Sequence, residues 1–183
     1  LIKESNELNA YISVHEILSS TRSYEARGVI HSGFAHCLSR IAAEKFGSAA
    51  TKKSAGEILV DIDYVLRNVQ KNEDKLREVH DLLRDPRCRA GSLPGVRECD
   101  FLTAAEIVLN DFDIIAVPLY GGNSALRSVA RNYERIFRAK APALLPFVAI
   151  EMKLRGDDQY RTHYRYLLEI LGIDLEHVPN TMA

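Results

Sequence analysis

The sequence has no tryptophan, only three cysteines and no surplus of charge of either sign. Cys37, Cys88 and Cys99 form an odd set with no CxxC spacing. That excludes a disulfide scaffold and points to free thiols, hence to the cytoplasm or another reducing compartment. Twenty-four basic residues against 25 acidic ones leave a net charge of −1, so global electrostatic binding to nucleic acid is excluded and positive charge must act locally. The longest apolar runs, near Ile114 to Leu119 and Ala141 to Ile150, fall far short of the roughly 20 residues that a membrane span needs. Repeats and low-complexity segments are missing too, and composition is that of an ordinary globular chain. A chain of 183 residues is long enough to fold without metal or disulfide. One soluble, intracellular domain over 1–183 is expected. Because the chain opens on Leu1, a processed or excised piece is expected, and a targeting segment upstream would lie outside the sequence.

The first part, 1–84, reads as helical. Leu8, Tyr11, Ile12, His15 and Leu18 recur at helical steps, as do Phe34, Leu38, Ile41, Ala42 and Phe46, with a turn near Arg27-Gly28 between the two runs. Ser54-Ala55-Gly56-Glu57 has capping-box spacing and predicts a helix onward through Val69, although Val60, Ile62, Tyr64 and Leu66 also alternate as in a strand. A charged helix over Glu73 to Arg84 stops at Asp85-Pro86. Residues 85–100 carry two prolines and two glycines without apolar period, and predict a loop. Beyond it, Phe101 to Leu109 reads as a short helix and Asp113 to Leu119 as a strand ending at Gly121-Gly122. A helix over Ser124 to Lys140, an alternating run over Val148 to Arg155, a helix over Asp157 to Leu171 and a closing strand over Ile173 to Val178 follow. The expected class is α+β and helix-dominated, with a helical N-terminal part packed on a C-terminal α/β unit over 101–183. All-α is the alternative, since Pro142 and Pro146 can open a helix through Leu154.

The densest chemical signal is Tyr120-Gly121-Gly122-Asn123-Ser124. Paired glycines let the backbone approach a ligand, Asn123 or Ser124 can cap the next helix, and N–H groups at a helix start attract an anion. Arg127 and Arg131 follow in the first turns and can clamp a phosphate, with Arg135 and Arg138 continuing the same stripe. The same residues also suit a plain strand-to-helix turn with a solvated arginine face, and neither GxxxxGK(S/T) nor GxGxxG is present.

Glu151-Met152-Lys153 offers a second signal. On a strand the carboxylate and ammonium share a side, where the one can hold a divalent metal and the other can steady a phosphodiester. With the helix and strand expected after it, the triplet resembles the tail of the PD-(D/E)xK metal-dependent nucleases over about 35 residues. That resemblance implies an upstream metal-binding aspartate, for which Asp111 and Asp113 are available, although a whole helix separates them from Glu151. Cys37, near the start of a helix, with His163 and Asp174 downstream, follows the chain order of papain-like enzymes, while its place beside Phe34 and Leu38 equally suits a buried, inert thiol. Asp61 and Asp63 resemble the DxD opening of haloacid-dehalogenase-type phosphatases only if their segment is a strand. His31 and His36, five apart, diverge on a helix, and no metal cluster is expected. The Arg84 to Arg97 loop holds four arginines and can dock on phosphates or on an acidic protein.

The leading expectation is a domain that binds or acts on a phosphorylated ligand at the Gly121-Gly122 turn; the cofactor is unknown. The alternatives are a non-enzymatic protein-interaction domain, using helical faces or the arginine loop, and a metal-dependent nuclease.

Overall fold

Among the described residues, a side chain closes the helix break at Ser20, and glycines end the helices at Gly121-Gly122 and Gly156. A computed structural model of the chain describes residues 2–30, 43, 44, 51–54, 57–60, 77, 81, 101–122, 124–175 and 178. Helix α1 (Ile2–Ser19) and helix α2 (Thr21–Val29) meet at Ser20. The Ser20 hydroxyl accepts from the Ser23 N–H at 3.3 Å and donates to the Ile17 carbonyl at 3.1 Å, so one residue serves the end of α1 and the start of α2. The break therefore lies at Ser20 rather than near Arg27-Gly28, both of which are inside α2.

Strands β1 (Thr51–Ser54) and β2 (Glu57–Val60) pair antiparallel, with Ser54 opposite Glu57. The capping-box spacing at Ser54 thus marks a strand pair, not a helix start. The helices expected over 34–46 and 73–84 and the loop over 85–100, with Asp61 and Asp63, lie outside the described residues apart from 43, 44, 77 and 81.

The C-terminal α/β unit is replaced by helices. Helix α3 (Phe101–Tyr120) absorbs both the short helix and the expected strand at 113–119. Helix α4 (Ser124–Asn132) and helix α5 (Glu134–Arg155) divide at Tyr133, and α5 absorbs the alternating run at 148–155. Helix α6 (Thr162–Ile170) comes next, and Ile173, Leu175 and Val178 are buried without forming the closing strand. Apart from the hairpin, the described residues follow the all-α alternative. A short apolar run bears no period that separates strand from buried helix, and here both runs continue longer helices. Pro142 and Pro146 lie inside α5, four residues apart and so on one side of the helix.

Packing converges on three rings. Phe112 of α3 meets Phe137 of α5 edge-on at 4.9 Å and Tyr164 of α6 at 5.7 Å, and all three are fully buried. Helices α6 and α2 both pack on α3, and α1 packs on α4, so α3 is central. Basic side chains from other elements close helix C-termini. Arg27 donates to the Leu18 carbonyl at 2.6 Å, Lys140 to the Ile30 carbonyl at 2.7 Å, and Arg138 to the Leu171 carbonyl at 3.5 Å. Neither α1 nor α6 has a basic residue in its own last turn, so these cations stand where the helix dipole is negative.

Candidate functional site

The Gly121-Gly122 turn closes α3. The Gly121 N–H donates to the Val117 carbonyl and the Gly122 N–H to the Leu119 carbonyl, both at 3.1 Å. Gly122 takes φ +94°, which disfavours any side chain there. Both glycine N–H groups are therefore spent on the helix end and turned away from a ligand. Asn123 lies outside the described residues, and Ser124 begins α4. Arg127 and Arg131 are exposed on α4, whereas Arg135 and Arg138 belong to α5, so the expected stripe of four is interrupted at Tyr133.

The Glu-Met-Lys triplet sits inside α5, where residues two apart point to different sides. Glu151 is 3 % exposed and accepts from Arg155 Nε at 2.8 Å, while Lys153 faces solvent. This removes the strand on which the nuclease resemblance rests. Asp113 is engaged through both oxygens: Oδ1 accepts from the Tyr164 N–H and Oδ2 from Arg161 Nη1, each at 2.9 Å. Arg161, which precedes α6, has a left-handed backbone (φ 56°) and supplies no side-chain cap, so Asp113 caps α6 from across the interface. Burial pulls Arg161 down, but its bond to Asp113 and the neighbouring Tyr160 prevail and hold it above its ordinary value. Tyr160 lies between the Arg155 and Arg161 guanidiniums, 4.8 and 5.1 Å from its ring centre. Asp113 and Glu151 thus belong to one network, yet each carboxylate is held by an arginine.

His163 meets the Tyr120 ring edge-on at 5.0 Å. Cys37 lies outside the described residues, as does the Arg84 to Arg97 loop, and Asp174 is exposed. Among the described residues, no group of three or more His, Cys, Asp or Glu is placed to hold a metal ion, and no helix is long and apolar enough to cross a membrane.

Asp111 leads to a place that pattern reasoning missed. An open cleft of about 120 Å³ lies between the α1–α2 junction and the middle of α3, lined by Ser20, Arg22, Ser23, Ile107, Asn110 and Asp111. Ser23 is 2 % exposed, and its hydroxyl accepts from Arg27 Nη1 at 2.7 Å. Burial pushes the Asp111 carboxyl above the usual carboxylate range, against the pull of Ser23 and of the Arg27 and Arg22 charges. Serines at a helix start and an Asn-Asp pair mid-helix carry no distinctive spacing, so only folding marks them as neighbours.

Among the described residues, apolar side chains are exposed on α3 and on α1. On α3, Ile114, Val117 and Tyr120 are 59 %, 49 % and 47 % exposed, and Tyr120 also meets Tyr166 edge-on at 5.2 Å. On α1, Leu8, Tyr11 and Ile12 are exposed. No protein-family model, curated protein or solved structure matches the chain.

Proposed function

We propose that the chain is a helical protein-interaction module, with the outer face of α3 as its contact surface. The observation that carries this reading is the stripe of Ile114, Val117 and Tyr120 at steps of three, about half exposed and extended by the α6 aromatics His163 and Tyr166. Large apolar side chains gathered on one exposed helix face are the signature of a contact surface. Support also comes from the charged groups, because Asp113 and Arg161 are engaged in joining α3 to α6 and Glu151 and Arg155 pair within α5. A photo-cross-linking side chain placed at Val117 tests it in cells, against the same group at the exposed position Lys153. A discrete protein adduct at the first position and none at the second is the expected result. Equal labelling at both, or none at either, overturns it.

A second reading keeps the phosphorylated ligand on α4. It is favoured by the exposure of Arg127 and Arg131, one turn apart, and it relies on guanidiniums without the glycine N–H groups. Sugar phosphates and nucleotides should then raise the melting temperature of the wild type and not of Arg127→Ala. An unchanged melting temperature in the wild type sinks this reading.

A further inference from the structure

The cleft between α2 and α3 goes beyond the contact surface on α3, and different residues carry it. Two charges of opposite sign face it, Arg22 from α2 and Asp111 from α3. Asn110 adds directional donors. Its side-chain oxygen accepts from Arg161 Nη1 at 2.6 Å, and arginine can only donate, so the amide nitrogen is left to donate elsewhere. Among the described residues, neither that nitrogen nor the Arg22 guanidinium has a hydrogen-bond partner. Asp111 shares the cleft lining with Ser23, whose hydroxyl accepts from Arg27, and a carboxylate has acceptor capacity for more than one donor. Ile107, 8 % exposed, supplies an apolar wall.

A simple anion such as phosphate is repelled by Asp111, and a simple cation by Arg22. A molecule carrying both charges satisfies both walls. About 120 Å³ equals the liquid volume of roughly four waters, enough for a small amino acid. We propose that this cleft binds a free α-amino acid with a small side chain. Its carboxylate meets the Arg22 guanidinium and the Asn110 amide nitrogen, its ammonium meets the Asp111 carboxylate, and its side chain lies on Ile107.

The test is an NMR titration of the full chain with alanine, and separately with acetate and with methylammonium, each to about 50 mM. Alanine should give saturable shifts centred on residues 20–23 and 107–111. Acetate and methylammonium, each with half of the recognition, should bind at least about tenfold more weakly. Arg22→Gln and Asp111→Asn should each weaken alanine by a similar factor. Arg22 is exposed and Asn copies the shape of Asp, so both variants keep the fold, and the comparison of the three probes on the wild type stands without them. The proposal is overturned by the absence of saturable alanine shifts, by affinity that survives both substitutions, or by acetate or methylammonium binding as well as alanine. Because no α3 surface residue beyond 111 takes part, either result leaves the cross-linking test at Val117 untouched.

Discussion

Asp111 and Asp113 stand two residues apart on α3 and lead opposite lives. Asp113 looks onto α6, where both oxygens are taken by the Tyr164 N–H and Arg161, and it fastens one helix to another. Asp111 looks onto the α1–α2 junction, where the elements leave an open cleft. The chemistry of the two side chains is identical. What differs is whether the facing element brings donors to contact distance, and that decides whether a carboxylate is a fastening or a group left available.

Phe112 lies between the two aspartates, and its removal should break both regions together. Phe112→Ala is expected to cost about 3–5 kcal/mol, because the ring is fully buried against Phe137 and Tyr164. Denaturant unfolding measures this; a loss below about 1 kcal/mol would deny the three rings their place at the centre of the fold. Asp113→Ala should cost about 2–3 kcal/mol, combining a lost helix cap with an orphaned, mostly buried Arg161. Asp113→Asn should recover part of that, since an amide oxygen can still accept from Tyr164. If Ala and Asn proved equal, the cap would be irrelevant.

Smaller effects sharpen the contrast. Among the described residues the buried Tyr164 hydroxyl has no hydrogen-bond partner, so Tyr164→Phe should leave stability unchanged or raise it by up to about 1 kcal/mol. A clear loss would reveal a partner for that oxygen. Asp111→Asn should be smallest and opposite in sign to Asp113→Asn. With its folded carboxyl raised by burial, Asp111 binds its proton more tightly folded than unfolded, so its contribution to stability falls as pH rises through that window. Asp111→Asn should therefore stabilise slightly at neutral pH, with the gain fading as the medium is acidified. Thermal melts of both proteins across pH 3 to 8 check the sign, and a gain that grew on acidification would refute it.

Helical periodicity was legible for α1, for α6 and for the helix-forming stretch after Ser124. It failed where local signals competed. The β-rich run at 114–119 and the alternating run at 148–155 both belong to long helices, because burial of Ile115, Ala116 and Leu119, and of Val148, Ile150 and Met152, is satisfied on a helix as well as on a strand. The glycine pair was legible as a turn, but where its N–H groups point was not, since they follow the helix that ends there rather than the one that begins. The cleft was illegible throughout, being made of residues about 90 positions apart.

By itself the sequence determined a helix-rich chain with charge placed locally. It also determined that arginine would outnumber lysine, 16 to 8. Tertiary structure alone decided what those charges do. Arg27 and Arg138 close helix ends, Arg161 holds the Asp113 carboxylate, and Arg22 faces an open cleft. The reason is that a charge acts over a few ångströms in a folded protein, and the partners that come within that reach are set by packing between elements distant in the chain.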